Sequence, residues 1–138
     1  MDRFQIQTVI QQVRIPDGAI LKKNILDITS THDCEEVIER LQIELTQLAG
    51  PKEVPIAELT NVQLLHVYGI WAETSSSANI KKDEPAPFEF ELNNSEVWVK
   101  TKELKLAGLE NLTLLRVRCP IPDLKMKCVF FVGAKGEQ

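Results

Sequence analysis

A run of apolar positions after residue 33 has the spacing of one helix face. Counted from the first of them, they fall at i, i+3, i+4, i+7, i+11 and i+14, and they are Cys34, Val37, Ile38, Leu41, Leu45 and Leu48. Asp33 and Glu36 have the spacing of a capping box, and Gly50-Pro51 is typical of the end of a helix. The pattern predicts an amphipathic helix at about residues 33–48.

Alternating apolar positions predict strands elsewhere in the chain. Residues 4–28 are rich in Ile and Val and contain the turn sequence Pro16-Asp17-Gly18, which predicts a hairpin. Residues 62–71 are almost continuously apolar, as expected for a central strand. Residues 88–92 and 97–101 flank a pair of asparagines and predict a second hairpin.

These elements together predict an α+β fold. We expect a mostly antiparallel sheet of about five to seven strands packed against one main helix, in a single domain spanning residues 1–138. A hairpin followed by a helix is also how a β-grasp fold begins, so the start of the chain resembles that fold. Residues 73–87 are polar and contain two prolines, which predicts a flexible loop within the domain.

The last third of the chain predicts a basic hairpin. Residues 115–119 and 124–128 flank Pro120-Ile121-Pro122-Asp123, and pairing them around that loop places Arg118 opposite Lys125 and Arg116 opposite Lys127. The other face of the hairpin would then be apolar. Like charges directly opposite each other destabilise a strand pair. Either carboxylates from residues 83–96 or an external anion should therefore neutralise the four cations.

Composition narrows the class of protein. The chain has 138 residues, is 43% hydrophobic and 26% charged, and contains 6 Gly and 7 Pro, which excludes collagen-like, coiled-coil and wholly disordered classes. Its net charge of −4 argues against a general nucleic-acid binder, although residues 93–138 hold 8 basic and 5 acidic side chains. The apolar stretches are shorter than the roughly 20 residues of a membrane helix, so no membrane association is expected.

Candidate catalytic chemistry is sparse. His32, Asp33 and Cys34 are adjacent, but Cys34 belongs to the apolar stripe, and burial in the core is the simpler interpretation. His66 lies in an apolar strand and is expected to be a hydrogen-bonded, half-buried side chain. The chain contains no C-x-x-C, phosphate-loop or nucleophile-elbow motif, so no cofactor and no metal are expected. Three unpaired cysteines favour a reducing, cytoplasmic location.

The sequence therefore favours a non-catalytic protein–protein interaction or assembly module. Its predicted contact surface is the cationic hairpin face of Arg116, Arg118, Lys125 and Lys127, and the predicted partner is a protein that is acidic at the contact. Strand addition at an exposed sheet edge is a second route to a partner. Nucleic-acid or phospho-ligand binding through the same basic face is the alternative, and a small cysteine-dependent enzyme is the third. Exposure of Trp71 or Trp98 would mark an interface anchor.

Overall fold

The protein is all-β. The structure, a computed structural model, describes residues 2–15, 17–109 and 111–136, so Pro16 of the predicted turn lies outside the described residues. Ten strands and no helix are found in that part of the chain, and all strand pairs are antiparallel. The chain divides into two compact units, residues 1–33 and residues 34–138.

The strands follow one another with short connections. They are β1 (Asp2–Val13), β2 (Ile20–Cys34), β3 (Glu36–Thr46), β4 (Lys52–Glu53), β5 (Val62–Trp71), β6 (Phe88–Leu92), β7 (Val99–Thr101), β8 (Glu103–Ala107), β9 (Leu115–Arg118) and β10 (Lys125–Ala134).

The first unit is a two-stranded sheet of β1 and β2, which confirms the predicted hairpin. At its tip the N–H of Arg14 donates to the carbonyl of Ala19 at 2.8 Å, and the carboxylate of Asp17 accepts from the guanidinium of Arg14. Gly18 has a φ of 73°, in the left-handed region that glycine tolerates best, which explains its place in the turn.

The second unit is a sandwich of two four-stranded sheets. Sheet I has the strand order β3-β10-β5-β8, and sheet II has the order β4-β9-β6-β7. Alternate residues of both sheets point inward and form one buried core, which includes Leu45, Leu65, Val67, Phe88, Leu115, Val117, Met126 and Phe130. The predicted central strand at residues 62–71 is confirmed as β5, and the predicted pairing of residues 88–92 with the strand after Asn94 is confirmed as β6 with β7.

The predicted helix at residues 33–48 is wrong, because this segment is the end of β2, the edge strand β3 and a turn. Leu41 and Leu45 face the core from β3 with the period of a strand. A bulge then changes the spacing: Phe130 pairs with Leu41 but Val132 pairs with Ile38, and Arg40 between them has a φ of 55°. Because of the extra residue, Ile38 and Leu41 are three positions apart instead of two, which is the i, i+3 spacing of a helix face.

The predicted α+β class and the β-grasp resemblance fail with that helix. The structure has ten strands in three sheets where five to seven strands in one sheet were expected. Leu48, the last residue of the supposed apolar stripe, is 99% exposed in the turn after β3. The polar segment 73–87 is held by backbone hydrogen bonds, including those that Trp71 makes with Glu84 and Asp83. Its flexibility, like the single domain over residues 1–138, stays a prediction.

Candidate functional site

The outer face of sheet II carries two of the predicted binding residues. Arg116 and Arg118 alternate with the core residues of β9 and point away from the core. The neighbouring strand β6 places Glu91 opposite Arg116 and Glu89 opposite Arg118. Arg118 donates to Glu89 at 3.2 Å, and Arg116 donates to Glu91 at 2.8 Å through Nε. The expectation that carboxylates from residues 83–96 neutralise these cations is therefore confirmed for both arginines.

Glu91 is a buried carboxylate with several donors. Its side chain is 1% exposed, and both Nε and Nη2 of Arg116 donate to its Oε1. Its other oxygen accepts from the backbone N–H of Glu96 at 3.0 Å, while Nη2 of Arg116 also reaches the side-chain oxygen of Asn94 at 3.0 Å. A buried charge needs such partners, because removing it from water is otherwise costly. The network fastens the turn between β6 and β7 onto the sheet.

Trp98 covers the same two arginines. Its ring lies 4.0 Å from the guanidinium carbon of Arg118 and 5.7 Å from that of Arg116. Stacking of this kind is attractive, since the face of the indole ring is electron-rich. Trp98 is half-buried by these contacts, whereas Trp71 is buried in the core. The two glutamates therefore take Nε of Arg118 and Nε and Nη2 of Arg116, and Trp98 covers one face of the guanidinium groups.

The other two predicted binding residues lie in sheet I. Lys125 and Lys127 belong to β10, which pairs with β3 and β5, so the predicted hairpin of residues 115–119 with 124–128 is wrong. The proline-containing connection carries the chain from one sheet to the other. Nζ of Lys125 lies 3.2 Å from the carboxylate of Glu44, and Lys127 is in register with the same glutamate. The structure therefore brings Arg116 and Arg118 together but not the four cations.

Away from its turn, the β1–β2 hairpin has one polar face and one more apolar face. Arg3 binds Asp33 at 2.7 Å and Gln7 donates to Asp27 at 3.3 Å, so these four side chains share a face. The guanidinium of Arg3 lowers the pKa of Asp33 through that hydrogen bond. Because side chains alternate along a strand, the described side chains at the intervening positions share the opposite face. Its apolar members are Phe4, Ile6, Ile10, Leu26 and Ile28.

The outer part of that apolar face is open to solvent. Ile10 is 50% exposed and Ile28 is 54% exposed, while Ile6 and Leu26 are half-buried. Val9 on the polar face and Ile15 and Ile20 at the turn are also exposed. Single exposed apolar residues are ordinary, but a cluster on one small sheet marks a contact surface. Alternation along β1 places Ile6 and Ile10 on one face, but the sequence does not show how much of that face is exposed.

The cysteines and histidines have structural surroundings. Cys34, Cys119 and Cys128 are buried, as expected for Cys34, and burial together with the nearby Cys119 raises the pKa of Cys128 far above that of a free thiol. His66 is half-buried and its Nε2 lies 2.8 Å from Glu103, so the predicted hydrogen-bonded histidine is confirmed. The hydrogen bond from His66 lowers the pKa of Glu103. These features give a cysteine nucleophile no support.

The cavities of the sandwich are shallow and mixed in character. One of about 390 Å³ lies between the loops around residues 56–62 and 111–113, and one of about 160 Å³ lies beside Arg40, His66 and Tyr68 on the outer face of sheet I. Across residues 2–15, 17–109 and 111–136, no group of three or more metal-binding side chains converges. In the same part of the chain, no helix has the length and apolarity needed to cross a membrane.

Comparison with known proteins adds no relative: no protein-family model matches the chain, and neither a curated protein nor a solved structure is significantly similar to it.

Proposed function

We propose that this protein is a non-catalytic protein-interaction or assembly module, and that its contact surface is the apolar face of the β1–β2 hairpin. The observation that carries the proposal is the exposure of Ile10 and Ile28 on a two-stranded sheet. A lone hairpin is only marginally stable in water and gains stability from added strands or from packing on its apolar face. A partner that covers this face would supply what the hairpin lacks.

The basic residues are a weaker candidate surface for the same function. Three of the four cations have a glutamate partner at 3.2 Å or less, and they are Arg116, Arg118 and Lys125. Trp98 also lies over the two arginines. An acidic protein, a nucleic acid or a phosphorylated ligand would have to compete with those glutamates for the three cations. The contacts therefore favour a structural role for Arg116 and Arg118, and the binding role of the four cations stays a prediction.

The proposal is tested by affinity purification of the tagged chain from its own cells after mild lysis. The wild type is compared with Ile10→Asp/Ile28→Asp, which places two charges on the apolar face. Leu48→Asp is the matched control, because Leu48 is equally apolar and more exposed but lies outside the hairpin. Co-purifying protein, including an untagged copy of the chain, and nucleic acid are both quantified.

We expect the double variant to lose a specific protein that the wild type and Leu48→Asp both retain. Circular dichroism and the unfolding transition of each variant verify that residues 34–138 remain folded. An unchanged set of co-purifying proteins would contradict the proposal. Recovery of nucleic acid that disappears in Arg118→Gln/Lys125→Gln, which leaves the buried pair of Arg116 and Glu91 intact, would favour the alternative function through the basic residues.

A further inference from the structure

The outer edge of β1 has no neighbouring strand in the described sheets. β1 has twelve residues and pairs with β2 in a sheet of two strands. Each strand edge presents a row of backbone N–H and C=O groups, which attract a further strand unless charges, prolines or bulges prevent it. The residues of β1 therefore determine whether this edge accepts another strand.

The middle of β1 lacks the features that protect sheet edges. Residues 5–12 read Gln-Ile-Gln-Thr-Val-Ile-Gln-Gln and contain no charge, proline or glycine, whereas Asp2 and Arg3 at the start of the strand are charged. The edge strand β3, in contrast, carries four charged residues and the bulge at Arg40. The edge strand β8 includes Glu103 and Lys105, and the edge strands β4 and β7 have only two and three residues. β2, the other edge of the two-stranded sheet, includes the charged residues Lys22, Lys23 and Asp27, so the middle of β1 is the long uncharged edge.

The middle of β1 is partly symmetric in sequence about Thr8. In an antiparallel pair centred there, Thr8 lies opposite Thr8 of the second strand, Ile6 opposite Ile10, and Gln5 opposite Gln11. Gln7 lies opposite Val9, a pair of unlike residues. Every pair joins two even or two odd positions, so the apolar faces of both strands lie on the same side. A second copy of the strand can therefore pair with β1 in this register with matching faces.

We propose that β1 pairs antiparallel with β1 of a second copy of this chain, about a two-fold axis at Thr8. This inference rests on the proposed function and names a second copy of the chain as a partner that adds strands to the hairpin, while the apolar face stays available to a further partner. The two hairpins would form one four-stranded sheet in the order β2-β1-β1-β2. Isoleucines 6 and 10 of both copies then lie side by side on its apolar face, where cross-strand pairs of β-branched residues are favourable. A two-fold contact of this kind closes on itself and limits assembly to a dimer.

The first test is the mass of the purified chain by light scattering over a range of concentrations. We expect about twice the chain mass of 15.6 kDa, with dissociation on dilution. A monomer at every concentration would overturn the inference. The proposed function would survive that result if Ile10→Asp/Ile28→Asp still lost a foreign partner, so the two failures can be told apart.

The second test is cross-linking through Thr8→Cys under mild oxidation. Directly opposed residues have Cβ atoms about 4.5–5.5 Å apart, within reach of a disulfide after a small adjustment. Gln12→Cys is the matched control on the same strand: its two copies would lie eight residues apart, roughly 26 Å at 3.3 Å per residue. The native cysteines are buried and do not compete. We expect the dimer to cross-link through position 8 but not through position 12.

Other cross-linking patterns would overturn the inference. A dimer that cross-links at both positions would have parallel strands, and one that cross-links at neither would use another surface. Charge reversal gives an independent answer if the cysteine variant is unstable. Thr8→Lys and Thr8→Glu should each weaken self-association by about fivefold or more, since like charges oppose each other. An equal mixture of the two should restore it, and a mixture no better than either variant alone would exclude Thr8 from the axis.

Discussion

Replacing Arg116 with methionine should destabilise the sandwich far more than the same change at Arg118. The two arginines are neighbours on one face of β9, and each has a glutamate opposite it on β6. They differ in the burial of the partner: the side chain of Glu91 is 1% exposed, whereas that of Glu89 is 21% exposed. Removing Arg116 leaves a buried carboxylate whose remaining donor is the N–H of Glu96.

The size of the effect follows from that difference. Breaking a buried ion pair by removing one partner costs about 3–5 kcal/mol. The side chain of Arg116 is itself 33% exposed, so water can enter the space it leaves, and we expect about 2–3 kcal/mol. For Arg118→Met we expect a loss of about 1 kcal/mol in the free energy of unfolding, since the variant loses a half-exposed ion pair and the contact with Trp98.

Urea unfolding followed by tryptophan fluorescence measures both losses, because both tryptophans of the chain lie in the 34–138 unit. Glu91→Leu/Arg116→Met removes both charges, and we expect it to recover at least half of the stability lost in Arg116→Met. The reasoning is refuted if Arg118→Met costs as much as Arg116→Met. It is also refuted if the double variant is no more stable than Arg116→Met alone.

Three further predictions concern other parts of the sandwich. Gly69→Ala should destabilise the sandwich by about 1–3 kcal/mol or more in urea unfolding, because its Cβ would lie 2.3 Å from the backbone oxygen of Ala86. Gly133→Ala should destabilise it less, since the atom closest to its Cβ is the Sγ of the Cys34 side chain and not a backbone atom. The three buried thiols should react with a thiol reagent at pH 8 only after unfolding, and rapid labelling of the folded chain would contradict their burial. Glu103→Gln should lose up to about 1 kcal/mol at neutral pH. The folded-state pKa of Glu103 is lowered, so the stability difference between the wild type and Glu103→Gln should be complete above the unfolded-state pKa and vanish as the pH falls through the folded-state pKa. A stability difference that does not change with pH would show that it does not come from the carboxylate charge.

Local patterns predicted several strands and their faces but not the class of fold. Residues 88–92 alternate and residues 62–71 are almost continuously apolar, and both patterns mark strands correctly. In β3 the bulge at Arg40 shifts the phase, so Ile38 and Leu41 both face the core three residues apart. A bulge is fixed by pairing with β10, which lies about 90 residues further along the chain. No window of local sequence contains that information.

For the candidate site, the sequence predicted which side chains face outward but not which strands are neighbours. The alternation of residues 115–118 and 125–128 assigns Arg116, Arg118, Lys125 and Lys127 correctly to outer faces. Alternation does not identify the neighbouring strand, since strands of both sheets in a sandwich alternate in the same way. The short connection suggested a hairpin, but it crosses between the sheets. The partners of the arginines were instead on β6, within the acidic segment that the sequence had indicated.

The position of β10 within sheet I has a consequence for how the chain folds during synthesis. β10 is the last of the ten described strands along the chain, yet it lies between β3 and β5, and β3 has no other neighbour in the described sheet. The nascent sandwich therefore carries an unpaired β3 and one open side of β5 until β10 has left the ribosome. Such long-range pairing is slow and leaves strand edges exposed to misfolding. The β1–β2 hairpin needs only neighbouring residues and can form as soon as it emerges.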